Sequence, residues 1–229
     1  MSAIAGVAGD LYVTASPSTS LGGTPEGATD QGDHIHYFTN THQFWDPTQT
    51  LTIQYSPNGS TGWTTDSSGD YTFYYPVGEI VFTSARTPGT NNFIRVSAGY
   101  YFSASQLVGA HNWKLSMKGQ TKDVTPFQAS GSWAVNLGTI KNASGSIDAY
   151  KQDGQLLTEM NNTSNALIGL QLWYYETGGY RWQCFANVTG VQEVVDAHDV
   201  DKQTINFQVY GPMYQITSNS LSSTTVTQM

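Results

Sequence analysis

Three histidines near the start of the sequence could form part of a metal site. His34, His36 and His42 fall within nine positions, and alternate residues of a strand, such as His34 and His36, share one face. Imidazole nitrogens are common zinc ligands. No cysteine or carboxylate joins these histidines at a recognised zinc spacing. We therefore favour polar histidines beside an acidic segment over a metal site.

A second candidate metal site is the acidic run with Asp196, Asp199 and Asp201. Carboxylate oxygens at this spacing could bind Ca²⁺. The same loop contains His198 and Lys202, however, and it does not match the calcium loop of EF-hand proteins. We favour a solvated turn, and the sequence predicts no bound metal and no cofactor.

The possible nucleophiles lack the partners that catalysis requires. The segment SGSW, Ser130 to Trp133, does not fit the G-x-S-x-G pattern of a hydrolase elbow, and no suitable His and Asp follow it in order. Cys184 shares a strand face with Trp182 and Val188 and is expected to be a buried core thiol. Gly-rich stretches such as SLGGTPEG lack the lysine and the spacing of a phosphate loop. We predict that the protein is not an enzyme.

Composition narrows the classes of partner. The 229 residues are 38% hydrophobic but only 11% charged, and the formal net charge is −8. Attraction to nucleic acid or to an anionic membrane needs a basic patch, which the sequence does not show. No apolar run approaches the ~20 residues of a membrane span, so no membrane partner is predicted. Because interface cores are depleted in charge, this composition suits a protein covered by copies of itself.

The elements expected to carry these residues are β-strands. β-branched and aromatic residues between turns rich in Gly, Asn and Ser favour strands over helices. Residues 4–13 are predicted as a first strand, residues 14–33 as a long arm or loop, and residues 36–101 as a β-rich elaboration. The acids concentrate in this half, because Met1 to Glu79 contains eight acids and no lysine or arginine.

The second half alternates more regularly. Trp113, Leu115 and Met117 face one way, as a half-buried strand requires. Residues 133–150 are predicted as a hairpin with its turn at 142–146 (NASGS), and 212–229 as a polar C-terminal tail. A single short α-helix is predicted between Gln155 and Asn165. The predicted fold class is mainly β: a β-sandwich or curved antiparallel sheet with one short α-helix and long loops or arms.

The order of these segments resembles the major tail proteins of phages with long, non-contractile tails (siphovirus-type), the subunits of the tail tube. The resemblance covers about residues 30–211. It rests on the series TDQGDHIHYFTNTHQFWDP, LTIQYSPNG, YTFYYPVGEIVF, IRVSAGYYF, AHNWKLSMKGQTKDVTPF, SGSWAVNLGTIKNASGSIDAY, LIGLQLWYY and RWQCFANVTGV. Each piece alone is a strand with a turn, so order and spacing carry the resemblance. Pro126, in the DVTPF turn, departs from the family pattern and is compatible with a loop.

The resemblance implies a structural virion protein that forms a single tail-tube-type domain over residues 1–229. Hexameric rings would stack into the hollow tail tube, assembled in the host cytoplasm, with other tail proteins such as the tape measure protein at the tube ends. DNA would pass through the lumen without specific binding. The arm, with Pro17, Leu21, Pro25 and Asp30, would contact a neighbouring subunit.

The lumen is expected to be lined by the polar face of the 133–150 hairpin, with Asn136 and Asp148. DNA carries one negative charge per ~1.7 Å of its axis, so an acidic or neutral wall would repel it and leave it free to move. A solvated or interface position for Asp148 stays open as an alternative.

Two other classes of function also stay open. A carbohydrate-binding β-sandwich would be a monomer with an exposed row of aromatic side chains. Another particle component, such as a tail terminator or head-decoration protein, would differ from a tube subunit in ring number and stacking.

Overall fold

The structure, a computed structural model, describes residues 11–14, 18–86, 93–107, 110–123, 136–150, 167–194 and 201–229. These residues form antiparallel strands and their connections, which confirms the predicted mainly β fold class. The helix predicted between Gln155 and Asn165 lies outside the described residues. Within the described ranges, no helix is long and apolar enough to cross a membrane.

The strands fall into two large sheets and one small pair. In chain order they are β1 (Leu11–Thr14), β2 (Thr19–Ser20), β3 (Glu26–Asp30), β4 (His36–Thr39), β5 (Thr52–Ser56), β6 (Thr64–Thr65), β7 (Tyr71–Tyr74), β8 (Glu79–Phe82), β9 (Phe93–Ala98), β10 (Tyr100–Tyr101), β11 (Ala104–Gln106), β12 (Ala110–Asp123), β13 (Asn136–Tyr150), β14 (Ile168–Tyr175), β15 (Tyr180–Val194), β16 (Lys202–Thr217) and β17 (Val226–Gln228). The eight-stranded sheet has the order β11-β1-β14-β15-β16-β13-β12, with β17 paired to β16. The seven-stranded sheet has the order β6-β5-β9-β3-β4-β8-β7, and β2 pairs with β10.

The eight-stranded sheet curls into two layers, because β15 and β16 bend and take part in both. The first half of β15 pairs with β14, whereas from Asn187 onwards β15 pairs only with β16 among the described strands. Register shifts after Cys184 and after Val188 mark bulges, which bend a strand. The indole N–H of Trp113, on β12, donates to the carbonyl oxygen of Trp173, on β14, at 3.1 Å. Strands distant in the sheet order therefore face each other.

The core of the eight-stranded sheet lies between these two layers. Ile147 and Phe207, from the layer that contains β12, belong to the same buried cluster as Leu170 and Cys184 of the other layer, and all four are at most 1% exposed. Each of them alternates along its strand with more exposed residues or with residues that face the other side, as the strand period of two requires. Burial of such side chains is the main favourable term for this sheet.

The segment NASGS, residues 142–146, is not the predicted turn. It lies within the continuous strand β13, which pairs with β12 on one side and, from Ser144 onwards, with β16 on the other. Its small residues allow close packing: a Cβ at Gly145 would stand 2.1 Å from the carbonyl oxygen of Lys114 and 2.4 Å from the Phe207 ring. Composition typical of a turn therefore occurs here in a strand. The hairpin prediction is wrong in this part of the chain.

The seven-stranded sheet has shorter strands and an aromatic core. Its strands are two to six residues long. Tyr37 and Trp45 are fully buried, and the rings of Phe73 and Phe82 pack edge-on against them with centroids 6.0 Å or less apart. Edge-to-face contacts of this kind add to the burial of the rings.

Side chains of β15 join the two large sheets. The Phe185 ring packs against Phe44 and Phe102, with centroids 5.7 and 6.0 Å apart. The amide of Gln183 donates to the carbonyl oxygen of Pro76 at 2.6 Å. The first half of β15 is therefore buried on both of its faces.

Two segments predicted as loop and tail take part in the sheets. Residues 14–33 include β2 and β3, and β3 is an inner strand of the seven-stranded sheet. In residues 212–229, β16 continues to Thr217 and pairs with β17, and Tyr214 and Ile216 are at most 2% exposed. The local Gly, Ser and Thr content is typical of loops, but pairing with strands distant in sequence decides the structure here.

Candidate functional site: an assembly surface

One face of the eight-stranded sheet is polar over four neighbouring strands, and we call it the polar face. Alternate residues of β12, β13, β16 and the second half of β15 form it, because the registers place them side by side. Its members are mostly small polar residues: Asn112, Lys114, Ser116, Lys118, Asn142, Ser144, Ser146, Asp148, Tyr150, Asn187, Gly190, Gln192, Val194, Lys202, Thr204, Asn206 and Gln208.

Asp148 lies at the centre of a cross-strand hydrogen-bond row on this face. One carboxylate oxygen accepts from the amide of Asn112 at 3.0 Å, and the other accepts from the hydroxyl of Thr204 at 2.8 Å. The row links β12, β13 and β16 and helps fix their register. Asp148 is thus half-buried on the polar face where it was predicted, and its role in a lumen stays a prediction.

Asn136, the other predicted lumen residue, lies in a part of the hairpin that extends past the rest of the sheet. Its backbone pairs with Asp123 at the first residue of β13. β16 pairs with β13 only from Ser144 onwards, so residues 136–143 pair with β12 alone among the described strands. The backbone of Asn136 and the side chain of Asp148 therefore lie in different parts of β13.

The polar face is bounded by two strand edges that have no partner among the described residues. β12 pairs with β13 on one side only along its 14 residues. On the opposite border, residues 187–192 of β15 pair only with β16 among the described strands. An unpaired edge presents a row of backbone N–H and C=O groups that another chain can pair with.

The net charge of the polar face is positive, whereas the net charge of the whole chain is negative. The face carries Lys114, Lys118 and Lys202 against Asp148, which gives 3 − 1 = +2, whereas the whole chain carries −8. The predicted wall was acidic or neutral. The acids are concentrated in the seven-stranded sheet and its loops instead, since residues 26–79 contain seven acids and no lysine or arginine.

The predicted arm residues lie beside the seven-stranded sheet. Leu21 packs against its aromatic core, and the backbone N–H of Leu21 donates to the carbonyl oxygen of Gly99 at 2.9 Å. Pro25 lines a cleft of about 370 Å³ that Leu21 and Tyr101 also line. Asp30 ends β3. Pro17 lies outside the described residues, and a contact of this segment with another subunit stays a prediction.

The three histidines are not brought together; each binds a different carboxylate. Three carboxylate clamps, at Glu26, Asp30 and Asp33, share one pattern. One oxygen accepts two backbone N–H groups of a nearby turn, and the other oxygen contacts an imidazole Nδ1. The imidazoles belong to His42, His34 and His36 respectively. In the described ranges, no group of three His, Cys, Asp or Glu side chains could hold a metal ion.

The Asp33 clamp favours the ionised carboxyl. Burial opposes ionisation, but hydrogen bonds from the backbone of His36 and Ile35 and contact with the His36 ring outweigh it. Together they lower the pKa of Asp33 to about 2. The Asp30 clamp holds His34, which has a φ of 57° in the left-handed region that side chains rarely adopt. The clamps therefore fix turns rather than form a reactive centre.

Cys184 is a buried core thiol, as predicted. It is 0% exposed, and burial raises the pKa of its thiol to about 12, so the nucleophilic thiolate is disfavoured. Of the predicted acidic run, Asp196 and Asp199 lie outside the described residues.

Sequence reasoning missed a buried arginine between the two sheets. Arg181 is 2% exposed and donates to the Gln183 side-chain oxygen at 3.1 Å and to that of Gln43 at 3.3 Å. Its guanidinium lies 4.5 Å from the centroid of the Trp173 ring. Burial lowers the pKa of Arg181 to about 10. No local pattern in RWQCF indicates this position, because the contact with Gln43 joins residues 138 positions apart.

Comparisons with known proteins give matches among solved structures only. No model of a known protein family matches the sequence, and no curated protein matches it. One similar chain comes from the tail of an empty gene transfer agent (GTA) particle with C6 symmetry; it is 17% identical over 48% of this chain and 84% of that chain, with a TM-score of 0.40. Another comes from the virion of a native GTA particle, with 16% identity over 49% of this chain and 88% of that chain and a TM-score of 0.41.

Proposed function

We propose that this protein is a structural subunit of a phage-type tail tube, in which copies form closed rings that stack around a channel for DNA. The observation that supports this most is the pair of strand edges, at opposite borders of the polar face, that have no partner strand among the described residues. β12 and the second half of β15 are different strands, so their pairing between copies is heterologous, and such contacts close into a ring when the rotation between copies closes.

The layering of the molecule indicates which side would face the channel. The second layer of the same sheet covers the apolar side of β16 and of the parts of β12 and β13 around Leu115 and Ile147, and the seven-stranded sheet packs against β15. The second layer and the seven-stranded sheet need more space than the inside of a ring provides. They would therefore lie on the outer side of the ring. The polar face, which nothing described covers, then lines the channel. Asp148 would lie in the wall as part of its cross-strand row.

The remaining features of the proposal come from the sequence resemblance. It suggests hexameric rings, stacking into a hollow tube, and other tail proteins, including a tape measure protein, at the tube ends. The arm at residues 14–33 would contact a neighbouring copy through Leu21, Pro25 and Asp30. The low charge content of 11% suits a surface that is largely covered by other copies.

Negative-stain electron microscopy and mass photometry across a concentration series test the proposal, with a substitution at the β12 edge. Met117 is 41% exposed on the apolar side of β12. We expect rings or hollow tubes from the wild type and only monomers from Met117→Lys, because an added charge on an edge strand opposes pairing with another chain. Met117→Leu is the matched control and should assemble.

The single-chain stability of Met117→Lys should stay close to that of the wild type, since the residue is exposed in the monomer. A wild type that remains a monomer of 24.9 kDa at every concentration would contradict the proposal. Rings that never stack would instead point to a tail terminator or head-decoration protein.

A second candidate function, carbohydrate binding, is favoured by one aromatic row. Phe93 is 47% exposed and shares one face of β9 with Arg95, two residues further along the strand. The Arg95 guanidinium stacks on the Trp63 ring at 3.8 Å and donates to the Gln54 side-chain oxygen at 2.7 and 3.0 Å. Aromatic faces beside planar donors suit sugar rings. A glycan array with the wild type and with Trp63→Ala tests this function. Sugar binding by the wild type that Trp63→Ala abolishes would support it.

A further inference from the structure

We propose that Lys114 and Lys118 contact the phosphates of double-stranded DNA as a sparse basic track along the polar face. This inference rests on the proposed tube function and reverses the expectation of a repelling wall. Both lysines belong to β12, lie on the polar face opposite Ser146 and Asn142, and are exposed. Among the described residues, neither forms a salt bridge.

The acid on the same face offsets the charge of Lys114 only in part and is too far from Lys118 to offset its charge. Asp148 pairs in register with Asn112, and both of its oxygens accept hydrogen bonds within the sheet, from Asn112 and Thr204. Lys114 is two positions from Asn112 along β12, and Lys118 is six, or about 20 Å at ~3.3 Å per residue. That distance exceeds the ~8 Å over which charges act at physiological salt. The outer part of the track therefore stays basic.

The spacing of the track makes its contact with DNA weak. Lys114 and Lys118 are four residues apart, which is about 13 Å along a strand. Duplex DNA carries a charge every ~1.7 Å of axis, so one copy meets only a small fraction of the phosphates that pass it. Such contacts are independent of sequence and fall with salt. They would centre the duplex in the channel and still let it slide.

The test is DNA binding by assembled protein that electron microscopy has shown to form rings or tubes. The probe is a fluorescein-labelled 20-base-pair duplex of arbitrary sequence, followed by anisotropy from low to physiological salt. The test variant is Lys114→Gln/Lys118→Gln, which changes the net charge from −8 to −8 − 2 = −10. The matched control, Ser60→Glu/Ser68→Glu, also gives −10 but places its charges at exposed positions beside the seven-stranded sheet.

We expect the wild type to bind the duplex at low salt, and the double glutamine variant to bind about tenfold more weakly with a shallower salt dependence. The control and Lys114→Arg/Lys118→Arg should bind like the wild type. Equal binding by the glutamine variant and the control, or no binding by wild-type tubes, would overturn the basic track while leaving the tube function intact. If the wild type forms neither rings nor tubes, both proposals fall.

Discussion

The eight-stranded sheet has strands of up to 16 residues, whereas no strand of the seven-stranded sheet exceeds six. Long backbone ladders and a continuous apolar face hold the first sheet. The second sheet depends on buried rings and on carboxylates that bind the backbone of its turns, at Glu26, Asp30, Asp33 and Asp46. The sheet with the polar face lies outside the acid-rich residues 26–79. Long, regularly paired strands suit assembly with other copies of the chain. Turns fixed by internal hydrogen bonds suit a surface that takes no part in assembly.

The largest loss of stability is expected from adding a side chain at Gly145, in the eight-stranded sheet. We expect Gly145→Val to lower the free energy of unfolding by about 3 kcal/mol, because the new side chain meets backbone and the Phe207 ring. Urea unfolding measures the loss. Gly119→Ala, in the partner strand β12, is the control, since nothing lies within 4 Å of a Cβ there. An equal loss in both variants would show that overpacking at Gly145 is not the cause.

Arg181 tests whether the two sheets unfold as one unit. Arg181→Ala removes a side chain that is 2% exposed and leaves the side-chain oxygens of Gln43 and Gln183 without its N–H groups. We expect a loss of about 2 kcal/mol. Unfolding followed by separate probes for the two sheets should then lose coincidence. Arg95→Ala, on the other large sheet, should cost less than about 1 kcal/mol, since a partly exposed contact contributes little. No difference between the two variants would refute a joining role for Arg181.

The Glu26 clamp tests the contribution of fixed turns to the seven-stranded sheet. Glu26→Gln keeps the side-chain size. The Glu26 carboxylate accepts from the backbone N–H groups of Thr41 and His42 and contacts the His42 imidazole. An amide has only one acceptor oxygen and cannot satisfy all three groups. We expect a loss of about 1–2 kcal/mol in thermal unfolding, because Glu26 is buried. Asp70→Asn, at an exposed acid, should change little. Equal melting temperatures of the two variants would show that the Glu26 clamp does not stabilise the sheet.

The smallest expected effect is the pH dependence of the Asp33 clamp. Its pKa is lowered from 3.8 to about 2, so its stabilisation is present above pH 3.8 and is lost as the pH falls towards 2. Because the Asp33 side chain is 40% exposed, we expect less than about 1 kcal/mol. Melting temperatures of wild type and Asp33→Asn between pH 6 and pH 2 measure it. The difference should shrink over that range; a constant difference would contradict the assignment.

Local alternation predicted the strands of the second half well. Trp113, Leu115 and Met117 face one side of β12, and Cys184 is buried as its strand position indicated. Composition failed where long-range pairing decides: NASGS is strand, and residues 14–33 include an inner strand of the seven-stranded sheet.

The site was predictable only in part. Asp148 lies on the polar face, as alternation along β13 suggested, but its hydrogen bonds come from strands whose register no local pattern sets. The edges that lack a partner among the described strands, and the contact of Arg181 with Gln43, depend on which parts of the chain meet. That information lies in three-dimensional pairing, and a single sequence does not display it.

The long pairing between β15 and β16, which extends from Tyr180 to Val194 with two register shifts, has a mechanical consequence. Hydrogen bonds in an antiparallel ladder lie across the strands. A pull along β15 therefore loads the whole ladder in shear, and many bonds must yield together before the strand slips. Both layers of the sheet share these two strands, so tension applied to one layer is carried directly into the other.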